Sequence, residues 1–301
     1  MGLVWGGALL YSYILVGFFF GRRFSIDTRR LSRLLFYGLS PIVIFCGVLE
    51  LPLSPVVVLL PMGVWGISSL ACGFTYWLAG YWWSDETRNL LAYSAGTGNS
   101  GYFGLPVAFA LFDEVTAGVF LLAILGQSLY ENSVGFYVAS RGTHSSMESV
   151  KKVLSLPTLH AAIAALFLSW LGWDLPSTAE APRQVAVLLY SAAGMMLIGI
   201  ALSPAKSFST DRNFLKLAFA GRWIIWPTVA FIAFGAVSPL LGELEGSLRS
   251  CLVLLSVVPV AANTVVFATL FGAPVQRMAS VVLISTVIAM LYVPLVMVLI
   301  R

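Results

Sequence analysis

Charged residues are scarce in this chain. Asp, Glu, Lys and Arg make up 10% of its 301 residues, against about 25% in an average soluble protein. That shortage excludes a soluble fold, because 59% of the residues are apolar and a soluble domain of this length has no interior large enough to hide them. A mean hydropathy of +0.93 makes a lipid bilayer the solvent. Cysteine is equally rare. Cys46, Cys72 and Cys251 lie in apolar runs without metal-like spacing, so they read as small buried hydrophobes, and neither a disulfide framework nor a metal site is expected. No ATP-binding motif is present and no cofactor is expected. A basic segment before the first apolar stretch is missing too, since Arg22 and Arg23 follow it; residues 1–21 therefore read as a retained span, not a cleaved signal. The net charge of +4 sits in short clusters between apolar runs, where membrane topology puts it, and does not indicate a nucleic-acid partner.

A spanning helix needs about 20 mostly apolar residues. Ten stretches qualify: 2–21, 31–50, 56–80, 89–112, 115–139, 157–173, 184–203, 213–237, 249–271 and 276–300. With both termini placed outside, the cytoplasmic loops hold Arg22, Arg23, Arg29, Arg30, Arg33, Arg88, Arg141, Lys151, Lys152, Lys206, Arg212, Lys216 and Arg277. The other side holds Arg183, Arg249 and Arg301. A miscounted span would have mixed the two sets, so this asymmetry predicts an inner-membrane, multi-pass protein with both ends outside. Trp82, Trp83, Trp170, Trp173, Trp223 and Trp226 fall near span ends, as interfacial anchors do. Glu50, Asp113, Glu114, Glu243 and Glu245 read as a solvated outer rim, and His144 as a solvated loop residue.

Ten spans divide into two sets of five, which an odd number per half forces to be inverted. The predicted domains are a first repeat over 1–139, a cytoplasmic linker over 140–156 and a second repeat over 157–301. The fourth span of each half is the irregular one. Gly96-Thr97-Gly98-Asn99-Ser100-Gly101-Tyr102-Phe103-Gly104-Leu105-Pro106 lies in the first half, and Pro259-Val260-Ala261-Ala262-Asn263-Thr264 in the second. Aligning Asn99 with Asn263 also pairs Ser100 with Thr264 and Phe103 with Phe267. Glycine and proline propagate helices poorly. Unwound backbone inside a bilayer is tolerated only where protein or a wet cavity satisfies it. Both segments are therefore expected to be interrupted helices facing a polar site, with half-helix ends suited to an anion.

Asn99 to Pro106 resembles the Asn-x-Gly-x-x-Gly-x-Pro segment of the auxin efflux carrier family. Pro259 to Asn263, and Val282-Leu283-Ile284-Ser285-Thr286, are similar to that family's later motifs. The resemblance is to a bacterial-type member, with the architecture shared by the bile acid–sodium symporters. It implies an all-α fold of ten helices in two inverted repeats, with helices four and nine interrupted and crossing. It further implies a homodimer whose spans one, two, six and seven form a scaffold and whose remaining spans form a mobile transport unit. The implied cargo is a small organic anion such as auxin or another carboxylate.

The residues expected to bind substrate are Asn99, Ser100, Gly101, Pro106, Pro259, Asn263 and Thr264, with Ser285 and Thr286 as weaker additions. Glu131 is the carboxylate deepest in an apolar run, at about 12 Å from the cytoplasmic end of its span. Gln127 shares its helical face. Together they are the candidates for carrying a coupling ion, a proton or sodium. Arg222 either pairs with an anion or with Glu131, or snorkels to the interface beside Trp223 and Trp226; snorkelling is the expected reading.

Two motifs suggest other chemistry. Gly96 to Gly101 matches G-x-G-x-x-G, but that fingerprint needs a soluble βαβ unit. Gly98-Asn99-Ser100-Gly101, with His160 in span six, resembles the serine and histidine of rhomboid proteases; His160 sits near the start of its span, and such proteases have no second copy of the motif. The expected function is elevator-type transport of an organic anion by alternating access, either as an efflux carrier or facilitator or as a sodium-coupled symporter of the bile acid type, and not enzymatic catalysis.

Overall fold

A computed structural model of the chain describes residues 2–24, 26–49, 55–140, 147, 151, 154–155, 157–203, 211–240, 242, 245–270 and 273–299. Arg141, His144, Lys152, Lys206, Glu50, Glu243 and Arg301, and most of the predicted linker, lie outside the described residues. Among those described the fold is helical, and the only strand-like contact is one isolated bridge. Among the described residues three helices are long and apolar enough to cross a membrane: Leu59–Ala79, Arg212–Val237 and Val275–Val293. These apolar helices point to an integral membrane protein. Several of the other predicted spans are divided into shorter pieces, which is why they do not qualify by length.

The chain forms two compact units, each drawing on both halves of the sequence. The first comprises Met1–Val57, Gly101–Leu122 and Ser155–Lys206. Within it the helix Gly2–Arg23 lies along Glu180–Leu202, and Ser40–Leu49 along Pro157–Trp170. Glycine sets the first of these contacts. A Cβ on Gly17 would stand 2.1 Å from the carbonyl oxygen of Met196, and one on Gly199 2.0 Å from that of Ile14. Without a hydrophobic force between helices in lipid, such backbone-to-backbone approach is what holds them. Ile14, Val43, Ile44, Ala162, Ala165 and Met195 are buried in this unit. At one end Arg183 bridges Glu114 and Glu180, each at 2.8 Å.

The second unit comprises Val58–Ser100, Ala123–Leu154 and Ser207–Arg301. Leu90, Leu91, Phe214, Leu217, Val260, Met278 and Val281 form a core cluster in it. Two of its helices start on side-chain caps: Asp85 accepts from the Thr87 amide at 3.0 Å, and Asp211 from that of Phe214 at 3.1 Å. The predicted fifth span is divided at Ser133 into Glu114–Asn132 and Val134–Ser140. The Ser133 hydroxyl there accepts the indole N–H of Trp65 at 3.0 Å. The predicted eighth span carries a π-helical turn, Gly221–Ile225, between Arg212–Ala220 and Trp226–Val237. Such turns admit one extra residue and cluster at functional sites.

Candidate functional site

Two helices of the second unit stop where glycine and proline predict. Glu86–Gly96 ends at Thr97, whose backbone is extended with φ −121° and ψ 131°. Glu245–Val257 ends before an irregular stretch, and the chain becomes helical again at Asn263–Leu270. The two breaks meet. Gly98 and Val260 form an antiparallel bridge, and the Asn99 amide donates to the Pro259 carbonyl at 2.7 Å. The Val260 amide donates to the Ser285 hydroxyl at 3.2 Å, and that hydroxyl donates to the Val282 carbonyl at 3.0 Å. Each interruption thus satisfies backbone groups that hydrocarbon could not.

Glu131 sits beside this crossing. One carboxylate oxygen accepts the Thr97 hydroxyl and, at 3.2 Å, the Gln127 side-chain amide. The other accepts the Asn263 side-chain amide at 3.3 Å. Gln127 also donates to the Gly98 carbonyl. The carbonyl end of its side chain, Oε1, is buried and has no hydrogen-bond partner among the described residues. Thr97, Gly98 and Glu131 therefore bring hydroxyl, main-chain carbonyl and carboxylate oxygens together around the Gln127 amide nitrogen, oxygen types that hard cations take.

Arg222 lies against the same backbone at Gly98, fully buried. It donates from Nη2 to the Leu255 carbonyl and from Nε to the Val258 carbonyl at 3.4 Å. Its guanidinium stands 5.0 Å from the centre of the Trp226 ring. Trp226 is also buried, and its indole donates to Ser68 at 3.0 Å. A Cβ on residue 98 would fall 2.3 Å from the Arg222 Nη2, so only glycine allows this approach.

Residues 184–301 match the model of the sodium bile acid symporter family. Over 299 residues the chain is 27% identical to a protein of Methanocaldococcus jannaschii named as an uncharacterized transporter, with 94% of each chain covered. Both similarities are to transport proteins. They correct the resemblance to the auxin efflux carriers: the matched model is that of the bile acid symporters. Of the segments that carried the resemblance, residues 99–106 lie outside the match, and residues 259–263 and 282–286 lie inside it. A run of glycines and a proline marks an interrupted membrane helix in general, and does not distinguish families that share one.

The predicted site residues separate. Pro259 and Asn263 are at the crossing and the carboxylate, with Asn263 exposed and Asn99 buried. Asn99 contributes its backbone amide to the crossing. Thr264 is buried and donates to the Ala261 carbonyl at 2.7 Å, a local cap. Thr286 donates to the Val282 carbonyl of its own helix at 2.7 Å. Ser100 is buried at the start of a π-helical turn, Ser100–Gly104. Gly101 and Pro106 belong to the first unit, with Pro106 in the opening turn of Leu105–Leu111.

Two expectations and one alternative are overturned. Arg222 does not snorkel, because main-chain carbonyls freed by the second break hold it inside. It forms no ion pair with Glu131 among the described residues. Trp226 is not an interfacial anchor but the buried neighbour of that guanidinium. Thr97 is the residue that sequence reasoning missed. Its signal was position: it is a hydroxyl inside the predicted break, two residues before Asn99.

Proposed function

We propose that this chain is a secondary transporter that carries a small organic anion across a membrane together with sodium. The observation that carries the reading is the crossing of two interrupted helices with an oxygen-rich cluster around Glu131 beside it. Broken helices whose free ends and unwound carbonyls serve substrate and ion are a transporter design. The transport names of the matched family and of the similar protein favour this over the rhomboid-like alternative.

In this reading the Glu131 carboxylate, the Thr97 hydroxyl and the Gly98 carbonyl hold the cation, with Gln127 orienting them through its amide nitrogen. Sodium would supply positive charge and a gradient to drive uptake. Asn263, exposed at the start of Asn263–Leu270, is assigned to the substrate carboxylate. Its amide already touches Glu131 at 3.3 Å, so substrate and ion would meet through one side chain. The chain would have ten spans in two inverted repeats, with both termini outside. The second unit would carry the whole site as it shifts.

Purified protein in proteoliposomes tests this. Labelled bile acid, malate and short monocarboxylates are offered under sodium, proton and choline gradients. Uptake of one acid stimulated about tenfold or more by sodium supports the reading. Stimulation by protons alone makes Glu131 a proton carrier. No uptake and no counterflow of any acid overturns the reading.

A further inference from the structure

The carbonyls at the end of Glu245–Val257 have an unusual fate. In a continuous helix the Leu255 carbonyl would accept from residue 259. That residue is Pro259, which has no N–H. Arg222 Nη2 supplies the missing donor. The Val258 carbonyl accepts from Arg222 Nε and from the Trp223 indole, each at 3.4 Å. The Val257 carbonyl accepts the Tyr292 hydroxyl. The negative end of a helix dipole thus points at a buried guanidinium, with the bare backbone of Gly98 against it. No carboxylate pairs with it among the described residues, and its Nη1 has no hydrogen-bond partner there. In carriers with interrupted helices, unwound carbonyls and half-helix carboxyl ends are places that coordinate a cation.

We propose that Arg222 is a tethered cation: its guanidinium fills the carbonyl-lined end of the second broken helix, where a diffusible monovalent cation would otherwise be required. The chain then needs a mobile cation only at the Glu131 cluster. This extends the transporter reading but rests on the residues around Leu255 and Val258, and it is tested without transport.

The test is the thermal unfolding midpoint of the full-length protein in detergent, titrated with sodium chloride, dilute guanidinium chloride and choline chloride. The variants are R222A, R222Q, R222K and G98A, whose added methyl displaces the guanidinium. Removing the side chain of Arg222 should create a cation site. The R222A midpoint should rise saturably with guanidinium or sodium but not with choline, by about 2–4 °C at tenfold over the dissociation constant. G98A should respond in the same direction, and R222K should behave as the native protein. A folded R222A whose midpoint follows all three salts as the native protein does overturns the proposal. If neither neutral variant folds in any salt, R222K decides: a folded lysine variant supports a requirement for charge, and an unfolded one overturns it. Loss of the native sodium response in E131Q alone bears on the transporter reading and leaves this inference standing.

Discussion

The amide of Asn99 donates to the carbonyl of Pro259 across 2.7 Å. Each interrupted helix therefore supplies a partner that the other lacks. The bridge between Gly98 and Val260 extends the same pairing by one residue on each side. The irregular backbone is stable here because it is paired, as a fragment of sheet would be.

Ser285 pins that pairing from a third helix. S285A removes the acceptor of the Val260 amide and leaves a buried N–H unsatisfied, at a cost of about 1–3 kcal/mol. The unfolding midpoint in detergent should fall accordingly, and S285T should restore part of it. A native midpoint for S285A would show that the hydroxyl is not a structural support.

Neutralising the carboxylate separates ion from substrate. E131Q keeps the shape of the side chain and some of its hydrogen bonds, but removes the charge a cation needs. Sodium stimulation should fall at least about tenfold, consistent with losing a charge-assisted contact. Exchange of labelled substrate across the membrane should persist. Equal loss of both would make Glu131 a structural residue.

The first unit should be sensitive at Gly17. G17A places a methyl where the Met196 carbonyl stands, and overpacking of this kind costs about 1–3 kcal/mol. The midpoint should drop while sodium binding by the surviving folded protein is unchanged, because no residue of the Glu131 cluster belongs to that unit. Isothermal titration of the folded fraction checks the second half of the prediction.

Acid should weaken one helix start. Asp113 accepts the amide and the hydroxyl of Thr116, each at 2.9 Å, and the amide bond foremost holds its carboxyl below the ordinary value of 3.8. A depressed folded-state pKa means stability that is present above the unfolded value and lost as pH falls through the folded one. D113N caps the helix at every pH. The difference in midpoint between native protein and D113N should therefore be constant near neutrality and change only below about pH 4. A difference that varies between pH 5 and 8 would assign it to another group.

The sequence made the two breaks legible because glycine and proline act locally, through the dihedrals and donors of their own residues. Gln127 and Glu131 were legible as a pair for the same reason, since a separation of four fixes one helical face. Arg222 and Trp226 were not. Next to aromatic residues an arginine looks interfacial, and the carbonyls that bury it lie 33 and 36 residues further on. The first is free because Pro259 has no N–H, the second because the helix ends at Val257. The π-helical turns over Leu35–Leu39, Ser100–Gly104 and Gly221–Ile225 have no residue signature either. Thr97 escaped notice because its partner is in another helix. The family resemblance erred because its longest motif, residues 99–106, is of the kind that any crossing of broken helices demands.

The pairing of Asn99 with Pro259 also sets a timetable for biosynthesis. About 160 residues separate the two, so the first break is made long before its partner leaves the ribosome. At roughly 5–20 residues per second that interval is on the order of ten seconds. Throughout it, unwound backbone at 97–99 faces the insertion machinery without the amides and carbonyls that later complete it. A nascent chain stalled before residue 259 should accordingly remain bound to that machinery, and be released only when the second break has been synthesised.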